Sequence, residues 1–159
     1  MALPPYRRSE PLGTKLETRG ISPRCLRPIL TEPYASPTEP QIVLIVEDED
    51  IVRRTLTRVL GDAGYRTLEA RHGEEALRMV TFAYPYIHLV ITDILMPEVD
   101  GRVLGHRLRE RWPGLPVLYI SAYPADDLFH RGAPTAASPF LQKPIIADEL
   151  LTVVQGLLT

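Results

Sequence analysis

The sequence predicts an α/β protein, a doubly wound parallel sheet with helices on both faces. Three observations carry that expectation. From Gln41 onward, short apolar runs alternate with longer amphipathic segments, the pattern of repeated βα units. The apolar runs are continuous rather than alternating, as strands are when both faces of the sheet are covered. Chemistry-bearing residues recur at the ends of those runs: Glu47-Asp48, Asp93, Ser121 and Lys143. In open parallel sheets, ligands bind outside the carboxyl ends of the strands, near a topological switch point. That rule places these residues in one crevice.

The elements follow in order. A strand is expected at about 42–46, in the run Ile42-Val43-Leu44-Ile45-Val46. A helix over about 50–62 puts Val52, Leu56, Val59 and Leu60 on one face. Gly61 and Gly64 punctuate its end. The second strand is expected at 65–69, and the second helix at 73–82 with Ala76, Leu77 and Val80 inward. The third strand, 88–92, runs directly into Asp93-Ile94-Leu95-Met96-Pro97-Glu98-Val99-Asp100-Gly101. A third helix over 101–111 is closed by Trp112 and Pro113-Gly114. The fourth strand is expected at 116–120, a weak helix at 125–131 and a short fifth strand at 138–142. The closing helix spans 147–158. Asp148 and Glu149 complement the dipole of its first turn, and Leu150, Val153, Val154 and Leu157 form its apolar face.

Residues 1–40 read differently. They hold eight of the sixteen prolines and show neither helical nor strand period, so they are expected to be an irregular tail or linker. The domain proper is expected over 41–159. A net charge of −2 gives no reason to expect nucleic acid or an anionic membrane as partner. Cys25 is the one cysteine, so no internal disulfide framework exists. No apolar run approaches the about 20 residues of a membrane span. Residues 1–8 lack the apolar core of a secretory signal, and the cytoplasm is the expected compartment.

Three acids, a hydroxyl and a lysine at strand ends suit a metal ion and a phosphoryl group. Asp93 is the candidate nucleophile. The bland alternative, a surface Asp capping the next loop, leaves the other residues unexplained. Like charges in one site raise each other's pKa, so Glu47, Asp48 and Asp93 call for a cation. Magnesium suits oxygen ligands. Lys143 offers a point charge for a phosphate and Ser121 a donor. Glu49 and Asp50 read as an acidic helix start. His72, His88, His106 and His130 have no metal-ligand spacing, and Met79 and Met96 read as packing.

These residues resemble the receiver domain of bacterial two-component response regulators. The resemblance rests on the acidic pair Glu47-Asp48, the run Asp93 to Gly101, Ser121-Ala122 and Lys143-Pro144, in the family's order and spacing. Gly64-Tyr65, Leu68-Glu69-Ala70, Glu75-Ala76-Leu77 and Phe140-Leu141-Gln142 are similar to receivers of hybrid histidine kinases.

The resemblance implies a flavodoxin-like (βα)5 fold with strand order 2-1-3-4-5. It implies that Asp93 takes a phosphoryl group from a histidine kinase or a histidine phosphotransfer protein. Asp48, Asp93 and the backbone carbonyl of Leu95 become magnesium ligands, with Glu47 bound through water. A cis Lys143-Pro144 bond is implied as well. Ser121 and Phe140 become the switch pair. Phosphorylation then biases the face formed by the helix at 125–131, the fifth strand and the closing helix, a face that also serves for a homodimer. Leu95 and Tyr123 flank the path of hydrolytic water and tune phosphate lifetime. Catalysis is limited to the protein's own phosphorylation and slow dephosphorylation.

Two rival readings remain. A phosphorylation-independent, receiver-like binding module needs none of the acids, Ser121 or Lys143. A phosphatase of haloacid-dehalogenase type needs an Asp two residues after the nucleophile, where this chain has Leu95. With no effector segment after Thr159, the chain is expected to be a stand-alone regulator or a receiver cut from a hybrid kinase.

Overall fold

Five parallel strands in the order β2-β1-β3-β4-β5 form the sheet. They are β1 (Ile42–Val46), β2 (Arg66–Ala70), β3 (Ile87–Asp93), β4 (Val117–Ser121) and β5 (Phe140–Gln142). Among the described residues four helices accompany them: α1 (Asp50–Asp62), α2 (Gly73–Ala83), α3 (Gly101–Arg111) and α4 (Ala147–Leu158). The computed structural model describes residues 39–84, 86–124 and 138–159. The expected helix at 125–131 and nearly all of the expected tail lie outside these residues.

Alternate residues along each strand feed two cores, one per face of the sheet. Leu44, Val46, Val90 and Tyr119 pack with Ala76 and Val80 of α2 and with Leu104 and Leu108 of α3. Val43, Ile45, Ile91 and Ile120 pack with Leu56 and Leu60 of α1 and with Leu150 and Val154 of α4. This period-two division explains why the strands read as unbroken apolar runs. The expected inward faces of the helices hold. Val52, Val59, Leu77 and Val153 contribute as partly buried flanks.

Local chemistry moves the strand limits by a residue or two. Gly64 adopts φ 91° after α1, a conformation glycine takes without penalty. The Tyr65 N–H then donates to the Leu60 carbonyl (3.1 Å). Tyr65 is thereby spent on closing α1, and β2 starts at Arg66 rather than 65. Pro116 and Pro139 have no N–H for a ladder. Each offers only a carbonyl, to Val90 and Tyr119 respectively, so β4 begins at Val117 and β5 at Phe140. Strand β3 is longer than expected at both ends, and Asp93 is its last residue. A bulge between Ile42 and Val43 skips His88 in the β1–β3 pairing. The His88 Nδ1 accepts the Ile42 N–H instead (3.0 Å).

The helix starts are capped as their sequences allow. Asp100 caps α3, accepting from the N–H groups of Arg102 (2.9 Å) and Val103 (3.0 Å). His72 caps α2 through Nδ1, and Glu75 reaches back to the Arg71 N–H, a reciprocal arrangement of the capping-box kind. Trp112 closes α3 with its N–H on the Leu108 carbonyl (2.7 Å). Among the described residues, no helix is long and apolar enough to cross a membrane.

Candidate functional site

Strand order reverses between β1 and β3, and the ends of those strands carry the acids. Glu47 and Asp48 follow β1, and Asp93 ends β3. One oxygen from each carboxylate lies within 4.8 Å of the others. Glu47 is 0% exposed and Asp93 is buried, whereas Asp48 faces solvent.

Lys143 follows β5 and reaches across β4 into this cluster. Its Nζ lies 2.6 Å from Asp93 Oδ2 and 2.9 Å from Glu47 Oε2. The Lys143 N–H donates to the Ser121 carbonyl (2.7 Å), which fixes the root of the side chain. The following bond to Pro144 is cis, as the resemblance implied.

The other Asp93 oxygen, Oδ1, accepts the Leu95 N–H (3.0 Å). The chain then turns back on itself. Glu98 sits at φ 67°, in the left-handed region that ordinary residues avoid. The Gly101 N–H returns to the Ile94 carbonyl (2.9 Å). A Cβ on Gly101 would stand 2.0 Å from the Asp93 carbonyl oxygen, so no larger residue fits there. The motif after β3 is therefore a tight loop that holds Asp93 in the acid cluster and caps α3.

Burial, followed by repulsion from Asp93, raises the Glu47 pKa above the ordinary carboxyl value, against the pull of Lys143. Burial disfavours the Lys143 charge, but the hydrogen bonds to Asp93 and Glu47 outweigh it and raise its pKa. Glu47 Oε2 is buried, with the Lys143 ammonium as its close partner. A carboxylate oxygen has lone pairs for more than one partner. Clustered hard oxygen donors with spare capacity fit magnesium.

Ser121 is fully buried at the end of β4, one position beyond the residue paired with Asp93. Its Oγ accepts the Tyr123 N–H (3.2 Å). Phe140 pairs in register with Tyr119, two residues before Ser121, and packs partly buried against the core below α3. Leu95 and Tyr123 are 45% and 53% exposed.

One residue was not among those the sequence singled out. Arg53 stands three and seven residues before the buried Leu56 and Leu60 of α1, on the same helix face, and is 4% exposed despite its charge. Its Nη1 donates to the Glu47 carbonyl (2.9 Å) and its Nε to Glu69 Oε2 (3.1 Å). Its Nη2 pairs with Asp50.

Comparison with known proteins agrees with this geometry. The family model of the response regulator receiver domain matches residues 43–155. The sensor kinase CckA of Brucella abortus is 39% identical over 117 residues, 73% of this chain and 12% of the kinase. The chain spans about half the length of other curated relatives it matches. Among solved structures, the receiver domain of the hybrid histidine kinase CckA has a TM-score of 0.63 and 36% identity, covering 74% of this chain and 99% of that one. The response regulator TrrA of Thermotoga maritima, solved in complex with Mg(2+)-BeF, also has a TM-score of 0.63, with 31% identity over 74% of this chain and 99% of its own.

Proposed function

The chain belongs to the response regulator receiver domain family of two-component systems, and from that premise we propose that Asp93 accepts a phosphoryl group from a phosphohistidine. The carrying observation is Asp93 with Lys143 Nζ at 2.6 Å and an oxygen each of Glu47 and Asp48 within 4.8 Å.

In the proposed step an Asp93 carboxylate oxygen attacks phosphorus. The phosphorus–nitrogen bond breaks, its electron pair stays on the imidazole, and an acyl phosphate forms. Little covalent chemistry is asked of the protein, so positioning and charge neutralisation dominate. Lys143 is already within bonding distance of Asp93 and can follow a phosphoryl oxygen as charge builds. The buried Ser121 hydroxyl would donate to another. Asp48, Asp93 and the Leu95 carbonyl would hold magnesium, with Glu47 acting through water. When bound, the ion neutralises phosphoryl oxygens and relieves the repulsion among the acids.

Donor access has a visible basis. Ile51, Val52, Pro144 and Ile145 line an apolar groove of about 230 Å³ directly beside Lys143. A histidine kinase or phosphotransfer protein is the proposed donor, and the cytoplasm the proposed compartment. The readout would run through Ser121 and Phe140 to β5 and α4, biasing a two-state face. The catalysis this reading assigns is the protein's own phosphorylation and slow hydrolysis.

Incubation with radiolabelled acetyl phosphate tests the reading. Label should enter the parent protein with magnesium and not in excess chelator. Asp93→Asn keeps the size of the side chain and should take up none. Equal labelling of Asp93→Asn would move the acceptor elsewhere.

A further inference from the structure

We propose that Arg53 is a positioning residue for the acid pair, holding the peptide that joins Glu47 to Asp48 so that both side chains reach the metal cluster. The inference rests on the phosphoacceptor reading for its purpose, and on geometry for its content.

Successive residues of an extended strand point to opposite faces. Glu47 and Asp48 are successive, yet both offer an oxygen within 4.8 Å of Asp93. The chain must therefore turn at the peptide between them. Strand pairing secures one side of that turn, because the Glu47 N–H donates to the Ala70 carbonyl (3.1 Å). The other side, the Glu47 carbonyl, has left the ladder and accepts from Arg53 Nη1 (2.9 Å).

The guanidinium is itself held. Glu69 at the end of β2 accepts from Nε, and Asp50 at the start of α1 pairs with Nη2. Partner carboxylates and burial together keep it in one orientation. A buried guanidinium is costly unless its donors are paired, and its planar fork spreads donors over several acceptors at once. The ends of β1 and β2 and the first turn of α1 thus converge on one side chain. Glu49, the residue before α1, has no side-chain cap on the helix, so this pairing stands where a cap would anchor the turn.

A group that orients metal ligands from behind affects metal affinity when lost, commonly by about 10–100-fold. The test compares the parent with Arg53→Met, Arg53→Lys and Glu69→Gln. Magnesium affinity is measured by calorimetry, and exchange of the Glu47 and Glu49 amides by NMR without metal. Arg53→Met should weaken magnesium binding by about tenfold and speed exchange at both amides, with protection in β3 and β4 unchanged. Arg53→Lys should recover part of each effect, since an ammonium can still reach a carbonyl but cannot span the three acceptors.

Folded Arg53→Met with parental magnesium affinity and parental exchange would overturn the proposal. If that variant does not fold, Glu69→Gln decides by the same two readouts, because it keeps the shape of the side chain but replaces the charged acceptor of Arg53 Nε with a weaker neutral one. If the parent binds no magnesium, the phosphoacceptor reading fails, while the amide measurement still decides the clamp.

Discussion

Asp93 is placed by residues two, eight and fifty positions further along the chain. Leu95 takes one oxygen, Lys143 the other, and Gly101 packs on its carbonyl. Lys143 and Gly101 were visible in the sequence because the motif fixes their identity. Arg53 was not, since its acceptors Glu47 and Glu69 become neighbours only when β1 pairs with β2. At this scale Asp100 offers a clean test. Partial burial opposes its ionisation, but Arg102 and the N–H groups at the start of α3 win and hold its carboxyl below the usual range. A depressed folded pKa stabilises above the unfolded value, about 3.9, and the gain is lost as pH falls through the folded one. Asp100→Ala should cost about 1 kcal/mol at neutral pH. The difference from the parent should shrink progressively in denaturant melts below about pH 4. A difference that grows on acidification would reverse the assigned sign.

Elements follow from periodicity, and their limits from backbone donors. The helices α1, α3 and α4 fall where the apolar period and punctuation put them. The strands β2, β4 and β5 begin later than their apolar runs, because Tyr65 closes a helix and Pro116 and Pro139 cannot donate. Hydropathy does not register that constraint. In the proposed site, two residues flank the approach to Asp93. Leu95 is the second residue of the loop after β3 and Tyr123 follows β4, both exposed and neither able to orient water through a carboxamide or carboxylate. They should obstruct in-line attack on an acyl phosphate. The double variant Leu95→Asn with Tyr123→Glu should therefore lose label severalfold faster than the parent, with magnesium present and no kinase. Equal decay would show that these side chains do not gate the water.

At the scale of the molecule, the switch point between β1 and β3 gathers residues from four strand ends into one site. That convergence was legible because each residue follows an apolar run. The prolines of residues 1–40 carry no such signal. Gln41 already closes the fold at its edge, its Nε2 on the Leu158 carbonyl and its own carbonyl on the Arg66 N–H. A chain starting at Gln41 should keep parental phosphorylation rate and melting temperature, and an unfolded product would show that the preceding segment is required. The central claim is chemical, that phosphate is carried as an acyl phosphate on Asp93. Borohydride reduces an acyl phosphate to an alcohol and leaves a free carboxylate untouched. Protein treated with acetyl phosphate and magnesium, then reduced, digested and sequenced by mass spectrometry, should contain homoserine at position 93 and aspartate there when magnesium is withheld. Aspartate at 93 under both conditions, with label retained elsewhere, would contradict the account.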